Sequence, residues 1–179
     1  NMKKKIYFFL ILAALFTGGL SSFAQDITTG LKLHYTFDDI NAGLVPDHSG
    51  NGLAGTIMGA AAPTTGKIGQ GLNLIDVNDY VLMPNDINAN MTDFTFSVWV
   101  NFNAASGWGR VFDIGNGTEI NTFLCQTGGA YKFVVKQSQA LGEQAVSGPA
   151  IVWGAWAHVA VTCSYNAEGV GTATMYING

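Results

Sequence analysis

Apolar and polar residues alternate along much of this chain. Leu31, Leu33, Tyr35 and Phe37 are interleaved with Lys32, His34 and Thr36, which predicts a strand with one buried and one wet face. Phe94, Phe96, Val98, Val100 and Phe102 alternate in the same way with Thr95, Ser97, Trp99 and Asn101. Val159 and Val161 alternate with His158, Ala160 and Thr162. Shorter runs at residues 80–83, 110–114, 131–136 and 173–177 read as further strands. Turns rich in Gly, Asn and Asp punctuate them at residues 47–52, 66–71, 115–117 and 128–129. No window sustains a helical period. About ten short strands with such turns predict an all-β antiparallel sandwich or barrel. There is no internal repeat and no proline-rich linker, so the strand-bearing part reads as one domain. Asn178-Gly179, after the apolar run Met175-Tyr176-Ile177, is the favoured type I′ hairpin dipeptide. A hairpin turn calls for a return strand, so the expectation is that this sequence is part of a longer one.

The first segment follows a different pattern. Lys3, Lys4 and Lys5 precede an apolar run over residues 6–16, and Gly18, Gly19, Ser21, Ser22 and Ala24 then supply small residues. This is the signal-peptide pattern, with cleavage expected after Ala24. The apolar run is shorter than the ~20 residues a membrane span needs. The expected division is a signal peptide at 1–24 and one domain at 25–179, with the product secreted, periplasmic or on the cell surface and without a membrane span.

Composition sharpens this picture. The chain has 179 residues, of which 48% are hydrophobic, only 11% are charged and 23 are glycine. That is enough apolar material for one good core. All 12 acidic residues lie beyond the leader, against five of the 8 basic ones. An acidic balance with no basic stripe disfavours nucleic acid and anionic membrane as partners. Cys125 and Cys163 are the only cysteines. In an exported protein they allow one disulfide, and two separately buried thiols are the alternative.

Several pieces, in order, resemble the laminin-G-like jelly-roll domains of the concanavalin A-like lectin/glucanase superfamily. Tyr35-Thr36-Phe37-Asp38-Asp39 resembles the opening strand. Asp47-His48-Ser49-Gly50-Asn51-Gly52 looks like the Asp-x-Ser-Gly-Asn-Gly loop. Gly66-Lys67-Ile68-Gly69-Gln70-Gly71-Leu72 is similar to a Gly-Lys-x-Gly-x-Ala-Leu turn, with Gly71 in place of the usual Ala. Asp79-Tyr80-Val81, the strand from Phe94 to Val100, the run Trp156-Ala157-His158-Val159-Ala160-Val161-Thr162, and Tyr176-Ile177-Asn178-Gly179 complete the match. The resemblance implies an antiparallel jelly-roll sandwich that lacks its last strands. The run from Arg110 to Thr118 also resembles a stretch in such domains attached to bacterial glycoside hydrolases.

The chemistry legible in the sequence is that of binding. Glycan-cleaving members of this fold need two carboxylates flanking the scissile bond, carried in laminarinase-like enzymes as Glu-x-Asp-x-Glu. That pattern is missing here, and Glu119, Glu143 and Glu168 are far apart in sequence. Zinc, dinucleotide, phosphate-loop and nucleophile-elbow motifs are also missing. Asp38, Asp39, Asp47 and Asn51 gather near the first two turns, and calcium favours such oxygen-rich loops; many laminin-G-like domains hold a structural calcium near this end. Asp and Asn also favour turns for their own sake. A second oxygen-rich loop has Asp76, Asn78 and Asp79. Sugars stack on aromatic faces and hydrogen-bond to polar side chains. Trp108 and Arg110, in a Gly-rich turn, and Trp99, out of phase with the apolar face of its strand, are therefore the expected ligand contacts, together with Asn116.

The function expected is a non-catalytic carbohydrate-binding or adhesion module that targets a polysaccharide-degrading enzyme to glycan. Two alternatives stand beside it. The chain could be the N-terminal part of a glycoside hydrolase whose catalytic domain follows Gly179, or a module that binds protein.

Overall fold

The computed structural model describes residues 28–88, 92–166 and 171–179. The expected leader and Glu168 fall outside them. The chain divides into two compact units, Asn1–Leu31 and Lys32–Gly179. Of the first, only the turn at 28–31 is described, where the Leu31 N–H donates to the Thr28 carbonyl at 3.0 Å.

The second unit is built from antiparallel strands, with one short 3-10 turn at Asn85–Asn88 and no α-helix among the described residues. The strands are β1 (Leu44–Val45), β2 (Gly55–Met58), β3 (Ala62–Thr65), β4 (Gln70–Asn73), β5 (Tyr80–Leu82), β6 (Phe94–Asn101), β7 (Gly109–Asn116), β8 (Ile120–Thr127), β9 (Ala130–Lys136), β10 (Gln144–Ala150), β11 (Trp156–Tyr165) and β12 (Gly171–Ile177). Two sheets carry the core. One has the order β10-β9-β8-β7 and the other β12-β11-β6; a small sheet β1-β2-β5 and the hairpin β3-β4 accompany them.

The sandwich core follows from the alternation in the sequence. Phe94, Phe96, Val98 and Val100 of β6 and Val159 and Val161 of β11 point to one side. Phe112, Leu124, Tyr131 and Phe133 of the four-stranded sheet meet them there. The rings of Phe96 and Phe112 are 4.0 Å apart, and Phe133 packs against both Phe94 and Phe112. Antiparallel sheets that bury one face each in this way form the two-layer sandwich expected from the sequence.

Two details depart from expectation. The alternating segment from Leu31 to Phe37 belongs to no named strand. Its backbone is held instead by a loop: the His34 N–H donates to Asp47 Oδ1, and the His48 N–H donates to the His34 carbonyl. Phe37 then takes a positive φ of 65°, at the end of the alternating run. The second detail is β8, whose burial is nearly continuous from Asn121 to Gln126, as befits a strand covered on both faces. At the far end, Asn178 and Gly179 have φ of 59° and 96°, the signs that a type I′ turn requires.

Candidate functional site

The face of the four-stranded sheet turned away from the core carries a compact cluster of aromatic and cationic groups. Register places Arg110 opposite Cys125 and Cys125 opposite Lys132, so the three share one row across β7, β8 and β9. The next row sets Asp113 opposite Phe123 and Phe123 opposite Val134. Phe123, Cys125 and Val134 are buried there as a small cluster of their own. The Arg110 guanidinium lies 3.8 Å from the Phe123 ring centroid and covers it. Trp108 meets Phe123 edge to face at 6.3 Å.

Trp108 is held in an unusual way. Its φ is +62°, a conformation that a bulky residue rarely adopts. Gly107 and Gly109 flank it. Its carbonyl accepts a hydrogen bond from Arg110 Nη1 at 3.1 Å, while Arg110 Nε donates to Asp113 Oδ2 at 2.9 Å. Lys132 Nζ stands 4.8 Å and Arg110 Cζ 5.8 Å from the indole centroid, both within cation–π range. Beneath the loop, the buried Gln126 side chain donates to both the carbonyl and the hydroxyl of Ser106. The indole is nevertheless 45% exposed. A strained, anchored and exposed aromatic of this kind points to function, because the surrounding contacts offset a conformational cost that packing alone does not require.

Trp99 lies elsewhere. It sits on the outer face of the other core sheet, paired with His158 at a ring separation of 5.2 Å and with Lys67 Nζ 5.5 Å above it. Trp99 and Trp108 thus face away from each other across the sandwich. Asn116 is at the opposite end of β7 from Arg110, in the turn closed by the Glu119 N–H and the Asn116 carbonyl. The four ligand contacts expected from the sequence therefore do not converge. Trp108 and Arg110 belong together, whereas Trp99 and Asn116 do not join them. Lys132 and Phe123, which the sequence reading missed, complete the cluster. Only strand register could have revealed them, since Lys132 is 24 positions from Trp108 in the chain.

The first two turns contain a hydrogen-bonded knot. Asp47 Oδ1 accepts the His34 and Ser49 N–H groups, and Oδ2 accepts the Leu53 N–H and the Ser49 hydroxyl. Burial pushes the Asp47 carboxyl upward, but these donors outweigh it and hold the group down at about 2. Asp38 Oδ1 accepts the Gln70 N–H at 2.7 Å, Asp39 pairs with His48 at 3.1 Å, and Asn51 Nδ2 donates to the Lys32 carbonyl. Among the described residues, no three His, Cys, Asp or Glu side chains gather closely enough to hold a metal. Asp38, Asp39, Asp47 and Asn51 as arranged form a turn lock in which the two Asp47 oxygens accept four donors. Asp79 does the same work in the second loop, accepting from Ala60, Ile75 and Asp76, and its carboxyl is held low by those N–H groups.

The thiols also resolve. Cys125 and Cys163 are both free and buried. Cys125 points to the outer cluster beside Phe123, while Cys163 shares the inward parity of Val159 and Val161 on β11. The disulfide weighed from the sequence is not formed, because the two side chains leave different faces of different sheets. Burial raises both thiols. Iodoacetamide is therefore expected to label neither in the native protein and both after unfolding, read by mass spectrometry. Rapid native labelling of Cys125 would show that the outer cluster is open.

Two shallow concavities, of about 170 and 290 Å³, lie at Asn121 and Tyr165 and at Thr56 and Leu82. Both fall below the ~300–1,000 Å³ usual for small-molecule sites.

Comparison with known proteins accords with the architecture. A laminin-G-like family profile, described as concanavalin A-like lectin/glucanases superfamily, matches residues 76–179. The chain belongs to this laminin-G-like family. A solved structure similar to this laminin-G-like chain is an S-layer domain-containing protein from Clostridium thermocellum ATCC 27405. It is 30% identical, with a TM-score of 0.59 over 82% of this chain and 68% of that one. The binding domain of Paraclostridial Mosquitocidal Protein 1 shares the fold at 15% identity, with a TM-score of 0.59; the match covers 78% of this chain and 37% of that chain. No curated protein sequence matches. Among the described residues, no helix is long and apolar enough to cross a membrane.

Proposed function

We propose that this laminin-G-like domain is a non-catalytic carbohydrate-binding or adhesion module of an exported bacterial protein, and that it brings a polysaccharide-degrading enzyme to glycan. The observation that carries this reading is Trp108, an exposed indole fixed at positive φ and braced by Arg110, Lys132 and Phe123. Pre-ordering an aromatic platform lowers the entropy lost when a sugar ring stacks on it. An open face suits a polymer chain, which extends beyond any single pocket. The similarity to an S-layer domain-containing protein agrees with a place at the cell surface. The leader pattern of residues 1–24 supports export.

A glycan array probed with the purified protein tests this reading. Binding to at least one polysaccharide class is expected, and Trp108→Ala should weaken it roughly tenfold or more, as loss of an aromatic anchor usually does. Trp99→Ala, on the other sheet, should leave it within about twofold. An array silent for every glycan, together with retention on a protein ligand, would favour the adhesion reading in which the partner is a protein.

A further inference from the structure

We infer that the glycan recognised at Trp108 is anionic, a polysaccharide bearing carboxylate or sulfate groups. This rests on the carbohydrate-binding reading and adds the charge class of the ligand. The chain as a whole has a formal charge of −4, with only 8 basic residues. Beyond the leader the cations are Lys32, Lys67, Arg110, Lys132 and Lys136. Arg110 and Lys132 share one row of the outer face of the four-stranded sheet, and Lys136 lies on the same face of β9 by its even spacing from Lys132. A chain poor in cations thus gathers three of its five non-leader cations on the face that presents its strained tryptophan.

Two of these three cations have a carboxylate within ion-pair range, and Glu119 follows the Thr118 that Lys136 contacts. Asp113 pairs with Arg110, and Glu143 stands 4.0 Å from Lys132, at the edge of ion-pair range. Pairs this exposed are weak and exchange readily for a better partner. Lys136 Nζ donates to the Thr118 carbonyl and Gln139 Oε1, with no carboxylate partner in either contact. The Arg110 guanidinium has five N–H donors. Asp113 Oδ2 and the Trp108 carbonyl occupy two of them, and the Cys125 thiol meets the guanidinium as well. The donors that remain suit capture of a carboxylate or sulfate oxygen.

The geometry matches a charged sugar chain in another respect. Arg110 and Lys132 are two strands apart, so their Cα atoms are roughly 10 Å apart across the sheet. Both charged heads lie within 6 Å of the Trp108 indole centroid. A sugar ring laid against the exposed part of the indole lies close to both cations. An anionic substituent then gains a charge-assisted hydrogen bond that a neutral hydroxyl does not.

The test compares polymers that differ in charge alone. Dextran sulfate is set against dextran, and polygalacturonate against its methyl ester, by isothermal titration calorimetry at low salt and in 0.5 M NaCl. At least one charged polymer is expected to bind about tenfold or more tighter than its neutral counterpart, with the difference shrinking at high salt. Which of the two pairs responds tells sulfate from carboxylate. Arg110→Gln and Lys132→Gln should each remove most of the preference, whereas Lys67→Gln, beside Trp99 on the other sheet, should leave it. Thermal melts confirm that each variant is folded. Equal binding of charged and neutral polymers, lost only in Trp108→Ala, would overturn the anionic assignment and leave the carbohydrate reading intact. Charge preference that survives both Gln variants would overturn the role given to this face. Binding to none of the four polymers also overturns the anionic inference. In that case a neutral ligand found on the glycan array would keep the broader reading, and a silent array would end it.

Discussion

Phe133→Ala is expected to lower the unfolding free energy by about 3–5 kcal/mol, the range for deleting a buried phenylalanine ring. Phe133 is 1% exposed and sits in the centre of the sandwich. It touches Phe94 of β6 and Phe112 of β7, so one ring joins strands from both sheets. The void left by Ala cannot be filled by a shift of one neighbour, because those rings are held in opposite layers. Urea denaturation followed by circular dichroism would measure the loss, with the slope unchanged. A loss below about 1 kcal/mol would mean that the two layers are not closed upon each other at this point. The change lies in the core layer, so glycan affinity per folded molecule should be preserved.

Asp47→Ala is expected to cost about 1–2 kcal/mol at neutral pH and to reshape the acid limb of the stability curve. The first part follows from its four donors, three of them backbone N–H groups of His34, Ser49 and Leu53. The downward shift from 3.8 to about 2 would correspond to a larger figure if the carboxylate were fully shielded; solvent screening reduces it. The second part follows from linkage. A carboxyl whose folded-state pKa is depressed binds fewer protons than in the unfolded chain. Its contribution is complete above the unfolded value near 4 and is lost as pH falls through about 2. The wild-type protein should therefore lose stability between about pH 4 and pH 2, with Asp79 acting in the same direction. The Asp47→Ala protein should start lower and lose less across that window. Urea melts at pH 5, 4, 3 and 2 would show it, and parallel curves for the two proteins would contradict the assignment of the carboxylate knot.

The knot also has the composition on which the calcium expectation rests. Asp47, Gly50, Asn51 and Gly52 have the composition of a cation loop. The same atoms serve equally well as acceptors for the loop's own N–H groups, and composition does not distinguish the two uses. Here the loop's N–H groups point at Asp47, and the lock holds the segment at His34 in place without a sheet ladder.

The sequence by itself determined the class of fold, the half-buried strands and the family. Alternation at Phe94 to Phe102 and at His158 to Thr162 is written residue by residue, because a strand with one wet face must repeat every second position. The turn dipeptide at Asn178-Gly179 is equally local, since positive φ at two successive residues restricts which side chains can stand there. Tertiary structure alone decided what covers the second face. Phe123, Cys125 and Val134 look like excess apolar residues in β8 and β9 until Arg110 and Trp108 are brought over them by pairing across β7. Lys132 joins Trp108 for the same reason, while Trp99 and Asn116 are carried away to another sheet and to the far end of a strand. Local pattern fixes which way each side chain points along its own strand. Only the register between strands fixes which side chains become neighbours, and the candidate binding face is made entirely of such neighbours.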